Sequence, residues 1–201
     1  HWEWCREYID RQAIWRADSQ NPSVPGKATG STYIWQFYLR RATLNPEFSR
    51  RLGLLFWDRF LPAMEQREFQ IGACHPSGGP IALSILAVAT ELGITCNAFL
   101  IRREPKAFGT DNWFDGRVSA APVLMVDDAA ASAPFLLLAA ARVRHKLRLP
   151  LHYNWFTIVN KVGRGFNKVN QHTENYLNGE LVSFFTMNNF CRSVEQYRER
   201  Y

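Results

Sequence analysis

The segment Val123-Leu-Met-Val-Asp127-Asp128-Ala-Ala-Ala-Ser132-Ala constrains the fold more than any other part of the chain. Four consecutive apolar residues read as a strand covered on both faces, the form that strands take in a parallel sheet packed between helices. The run ends in two adjacent carboxylates, so the strand must leave the apolar interior there. Residues 69–73 and 96–101 form two further short apolar runs, and 151–159 a fourth strand. Helical stretches lie between them: 79–92, stopped by Gly93 at the usual C′ place, and the alanine-rich 133–147. Strands alternating with helices predict an α/β fold, a parallel sheet flanked by helices on both faces, with its chemistry beyond the carboxyl ends of the strands.

The remaining elements fit around that sheet. Residues 1–20 carry Trp4, Tyr8, Ile9, Gln12 and Trp15 at mostly helical spacing up to Asn21-Pro22, which predicts an amphipathic N-terminal helix (1–21) serving as a small cap. Turn-forming residues fill 22–32, and 33–39 reads as an aromatic strand. Asn45-Pro46-Glu47 starts a helix, with Leu52, Leu55, Phe56 and Phe60 as its core stripe. No repeat or low-complexity tract interrupts the 201 residues, so one domain is expected, long enough to bury roughly 70% of its unfolded surface without staples. Apolar content of 47% and aromatic content of 14% exclude a disordered chain.

Cys5, Cys74, Cys96 and Cys191 are too scattered for a zinc knuckle or a compact disulfide framework, so a reducing, cytoplasmic setting is expected. The longest nearly apolar run, 129–141, contains Pro134 and falls short of the roughly 20 residues of a membrane span. No secretory-signal pattern opens the chain, whose first residue is His1. A net charge of +6 favours anionic partners.

Three clusters carry candidate chemistry. Asp127 and Asp128, followed by small residues and a helix, suit a phosphosugar: carboxylates accept from sugar hydroxyls while loop and helix-start amides donate to phosphate. The plainer alternative is that Asp128 caps the following helix. Arg102, Arg103 and Lys106 open a long loop, 102–121, which reads as a lid or as a solvated basic loop. In His75-Pro-Ser77-Gly78-Gly79-Pro80, glycines between strand and helix admit either an anion against the backbone or a plain turn. His1, His75, His145, His152 and His172 show no ligand spacing, so no metal-binding cluster is expected, and neither a nucleophile elbow nor a Walker loop occurs. Aromatics mixed with basic residues over 35–41 read as strand and core rather than as a nucleic-acid platform.

Taken in order, these pieces resemble the type I phosphoribosyltransferases, and within them the orotate-using branch, from about residue 26 to residue 187. Thr29-Gly-Ser-Thr-Tyr33, Leu39-Arg and Asn45-Pro-Glu resemble that family's Ser-Pro-Tyr, Asp-Leu-Arg and Asp-Pro-Glu opening segment. Gly78-Gly-Pro-Ile-Ala82 is similar to its Gly-Gly-Ile-Pro-Leu-Ala diphosphate loop. Arg102-Arg-Glu-Pro-Lys106-Ala-Phe-Gly109 is similar to its Arg-Lys-Glu-x-Lys-x-His-Gly lid. Asp127-Asp128 stands at its phosphoribosyl-diphosphate signature, and Leu181-Val-Ser-Phe-Phe-Thr186 resembles its closing strand.

The resemblance implies transfer of a 5-phosphoribosyl group from phosphoribosyl diphosphate to a nucleobase, orotate first, with Mg²⁺ carried by the substrate and a homodimer as the working unit. It gives Lys106 and Arg102 the catalytic, diphosphate side, with Arg103 beside them. It gives Asp127 and Asp128 the ribose hydroxyls, Ser132 and Ala133 the phosphate loop, and Ser77, Gly78 and Gly79 the diphosphate loop. Lys27, Tyr33 and Lys161 become further substrate contacts, Lys161 on the base side. The chain departs from the family at Ala129-Ala-Ala-Ser132-Ala-Pro134, where hydroxyl donors shrink to Ser132 and Pro134 lacks an amide. Phe108 replaces the lid histidine, and Asn160-Lys161 replaces an Asp-Arg pair, keeping the charge without the bidentate fork. A catalytically silent relative that binds a nucleotide or phosphosugar is therefore the alternative expectation.

Overall fold

The computed structural model describes residues 1–25, 32–106, 112–130, 134–161 and 181–190. Its N-terminal part differs from the single helix expected over 1–20. Helix α1 (Trp2–Tyr8) runs into a π-helical turn over Ile9–Ala13, and Ile14–Arg16 is strand β1. A β-branched residue beside an aromatic favours a pleated, half-covered surface, and the antiparallel partner, β4 (Trp35–Phe37), supplies one from far along the chain. The expected 22–32 loop contains a short pairing of β2 (Val24–Pro25) with β3 (Thr32–Tyr33), so the aromatic strand expected over 33–39 is split in two.

After helix α2 (Arg40–Thr43), α3 (Pro46–Gln66) begins as its sequence dictates. The Asn45 side chain accepts from the Phe48 N–H at 3.0 Å, with Pro46 in the first turn. Its buried stripe is Phe48, Leu52, Phe56, Trp57, Phe60 and Met64, while Leu55 packs only at the margin. Gly53 lets α3 lie against α4 (Gly78–Glu91), because a Cβ there would stand 2.4 Å from the Ser84 carbonyl oxygen. Gly93, at φ +70°, ends α4 as expected: its N–H donates to the Thr90 carbonyl and the Ile94 N–H to the Ala89 carbonyl.

The main sheet, among the described residues, has the order β10-β9-β8-β5-β6-β7. Strands β5 (Gln70–Cys74), β6 (Ala98–Ile101), β8 (Val123–Ala130), β9 (Trp155–Asn160) and β10 (Leu181–Thr186) are mutually parallel. The edge strand β7 (Phe114–Gly116) is antiparallel to β6 and falls inside the stretch expected to be loop. Its three residues are too few for alternation to be read, and Gly116 leaves it at φ +111°. Strand β8 continues past the carboxylates: Asp127 lies opposite Thr157 and Ala130 opposite Asn160.

Helices cover both faces. Ile71, Leu124, Val126, Phe156 and Ile158 pack with α3 and α4, whereas Phe99, Ile101, Val123, Met125 and Trp155 pack with α5 (Pro134–Arg142). The chain leaves β5 toward β6 on one side and returns to β8 on the other, so the order reverses between β5 and β8. That switch point opens a crevice at their carboxyl ends.

Candidate functional site

Both walls of the crevice carry polar side chains. On the β5 side, the turn 75–77 leads directly into α4, and on the β8 side stands Asp127. The Ser77 hydroxyl donates to Asp127 Oδ1 at 2.5 Å, and the Asp128 N–H donates to the same oxygen at 2.9 Å. Gly78 is needed for this closeness, since a Cβ there would sit 2.8 Å from the Val126 carbonyl oxygen and 3.1 Å from the Ala73 carbonyl carbon. A Cβ on Gly79 would meet only the Leu100 side chain at 3.6 Å, an ordinary contact. Burial, then the neighbouring Asp128 charge, pushes the Asp127 carboxyl up to about 7, against the opposing pull of Ser77, the Asp128 amide and Arg103.

Across the end of β5 lies a cleft of about 590 Å³ lined by His75, Pro76, Arg102, Arg103, Glu104, Pro105 and Lys106. Its cations are held from the returning arm of the loop. Asp115 on β7 accepts from Lys106 Nζ at 2.7 Å through one oxygen and from Arg102 Nε through the other. Lys106 and Arg102 together keep the Asp115 carboxyl below its usual range. Arg103 stacks at 4.7 Å on the ring of Phe135 in the first turn of α5. Behind the loop, Arg142 donates to the carbonyl oxygens of Arg102 and Arg103 and lies 4.0 Å over the Trp113 ring.

No protein-family model matches the sequence. Solved structures do match the fold. An orotate phosphoribosyltransferase from Mycobacterium tuberculosis, in complex with Fe(III) dicitrate, superposes with TM-score 0.70 at 20% identity over 94% of this chain and 98% of that one. The Mycobacterium tuberculosis enzyme in complex with 5-phospho-α-D-ribosyl 1-diphosphate gives 0.62 at 17% identity, covering 94% and 90% of the two chains. An adenine phosphoribosyltransferase from Trypanosoma brucei, in complex with AMP, pyrophosphate and ribose-5-phosphate, gives 0.60 at 17% identity over 92% and 80%. The fold is that of the type I phosphoribosyltransferases.

On this phosphoribosyltransferase fold the expected residues do not all come together. Arg102, Arg103 and Lys106 line one cleft with His75 and Pro76, and Ser77, the next residue in the chain, holds Asp127. Asp128 is not a helix cap, because β8 continues beyond it to Ala130. Lys161 stands apart from the cleft lining: its N–H donates to the Ala130 carbonyl at 2.7 Å and its ammonium lies 5.1 Å over the Phe37 ring. Tyr33 belongs to the small β2–β3 pairing. Lys27, Phe108, Ser132 and Ala133 lie outside the described residues. Gly78 serves helix-to-strand packing, while no crowding requires Gly79.

Sequence reading missed Asp115 and Arg142. The only signal for Asp115 is one acid on the far arm of a loop that opens with three cations. For Arg142 it is the first of the cations, ahead of Arg144 and Lys146, that close the alanine-rich helical stretch. Among the described residues, no three His, Cys, Asp or Glu side chains gather as a metal-ligand group, and no helix is long and apolar enough to cross a membrane.

Proposed function

We propose that this chain transfers the 5-phosphoribosyl group of phosphoribosyl diphosphate to a ring nitrogen of a nucleobase, with orotate the first candidate. The observation that carries this reading is the pairing, at one switch point, of a cleft lined by Arg102, Arg103 and Lys106 with the β8 carboxylates Asp127 and Asp128. As the bond from C1 of the ribose to the diphosphate lengthens, negative charge grows on the departing oxygens. Cations already aimed at that position stabilise the transition state more than the ground state. Arg102 and Lys106 fill that role by exchanging Asp115 for the diphosphate. Asp127 and Asp128, when ionised, accept from the ribose hydroxyls and stabilise the positive charge spreading over the sugar ring.

Mg²⁺ belongs to this proposal as a companion of the diphosphate, whose charge it neutralises. The donor set fits, since Mg²⁺ takes oxygen ligands and usually needs only one or two protein carboxylates when phosphates supply the rest. Lys161 is proposed for the base side, a homodimer for the working assembly, and a reducing cytoplasm for the setting, where the described cysteines Cys5, Cys74 and Cys96 stay free. The structural likeness adds chemical class, since two of the similar proteins hold phosphoribosyl diphosphate or its products.

A silent, binding-only role has its own support. Asp115 already satisfies Arg102 and Lys106, and α5 opens at Pro134, which has no N–H to give to a phosphate. Calorimetry with phosphoribosyl diphosphate and Mg²⁺, followed by a diphosphate-release assay over a panel of bases, separates the two. Binding with release supports the transferase, binding without release the silent role, and no binding defeats both. In a transferase, Lys106→Ala should lower kcat by on the order of 10² with a smaller change in KM. A loss confined to KM would make Lys106 a plain binding residue.

A further inference from the structure

We propose that Arg142 is a positioning residue for the basic loop, fixing where Arg102, Arg103 and Lys106 stand relative to the β8 carboxylates. This rests on the phosphoribosyl-transfer reading of the cleft. The two guanidinium NH₂ groups take consecutive carbonyls on the outgoing arm: Nη1 donates to the Arg102 oxygen and Nη2 to the Arg103 oxygen, the latter at 2.8 Å. The guanidinium carbon lies 4.0 Å from the ring centroid of Trp113 on the returning arm, whose carbonyl accepts from the Arg102 N–H at 2.9 Å. One planar group therefore grips both arms at their root.

Its carrier, α5, is the helix that follows the carboxylate strand, so the grip ties the loop after β6 to the element that comes after β8. None of the ion pairs among the described residues gives Arg142 a carboxylate partner. Its charge is met by carbonyl dipoles and by the π face of the ring, an arrangement that a planar fork makes and a lysine ammonium does not. Lysine at 142 would keep the charge and lose the two-point hold.

The test uses the full chain and Arg142→Lys, with Trp113→Ala as the second variant. Without ligand, trypsin cleavage after Arg102, Arg103 and Lys106 should quicken about fivefold or more in both variants, with cleavage elsewhere unchanged, because local opening governs access to these bonds. In calorimetry, inorganic diphosphate with Mg²⁺ should bind about tenfold more weakly to Arg142→Lys, while ribose 5-phosphate binds within about twofold of wild type. Unchanged cleavage in Arg142→Lys, faster cleavage along the whole chain, or equal weakening of both ligands would each overturn the positioning role. If the wild-type chain binds no diphosphate, the phosphoribosyl reading fails, and the cleavage measurement still decides whether Arg142 holds the loop.

Discussion

Asp127 shows how a buried carboxylate is kept within a strand, and it makes a prediction with a definite sign. In the folded chain it holds its proton up to about pH 7, because burial and then the Asp128 charge disfavour ionisation, whereas an unfolded aspartate releases it near pH 4. Between those values the unfolded chain binds fewer protons than the folded one. Stability should therefore fall as pH rises from about 4 to about 7 and level off above. Asp127→Asn should remove that fall and gain on the order of a few kcal/mol at pH 8, read from urea unfolding across the range. An unaltered profile would mean that Asp127 is ionised throughout. The transferase reading adds a second outcome, since binding phosphoribosyl diphosphate with Mg²⁺ below pH 7 should release a proton. Calorimetry in buffers of different ionisation heat would detect it, and zero release would show that Asp127 does not ionise on binding. The Asp127-Asp128 pair was legible in the sequence because it interrupts an apolar run. Asp115 was not, because its role depends on a hairpin that brings it back to Arg102 and Lys106.

At the scale of elements, legibility followed the range of the forces involved. Helix α3 was readable because its cap, its first-turn proline and its stripe are all local, and the central strands because burial on both faces leaves a continuous apolar run. Strand β1 was not, since its pairing with β4 spans a long stretch of chain and outweighs a helical spacing that Trp15 happens to continue. The two neighbouring glycines that open α4 have opposite expected behaviour, which sequence alone does not reveal. Gly78→Ala places a Cβ against the backbone of β5 and β8 and should destabilise by about 1–3 kcal/mol, the range for overpacking a tight contact. Gly79→Ala meets no crowding inside a helix and should be neutral or stabilising by up to about 1 kcal/mol. Denaturant midpoints for the two variants check this; equal destabilisation would mean that α4 does not approach the strands as closely as described.

Across the whole molecule, one strand ties the two halves of the core together. Along β8, Leu124 and Val126 face the cluster under α3 and α4, while Val123 and Met125 face the cluster under α5. Each face also carries its own buried indole, Trp57 on the first and Trp155 on the second. A sheet shared in this way gives neither cluster an independent framework, so the expected single domain should unfold as one cooperative unit. Leu124→Ala and Met125→Ala remove side chains with no exposed surface from opposite faces and should each lower stability by about 2–5 kcal/mol, with the denaturant slope unchanged. The chain holds seven tryptophans, so the decisive measurement follows the fluorine resonances of protein labelled with 5-fluorotryptophan, in which Trp57→Phe and Trp155→Phe identify the signal that reports each face. Coincident transitions in all four combinations are expected. If Met125→Ala shifted the transition reported by Trp155 and left that of Trp57 in place, the α5 face would be a separate unit. The crevice between β5 and β8 would then join two bodies rather than lie within one.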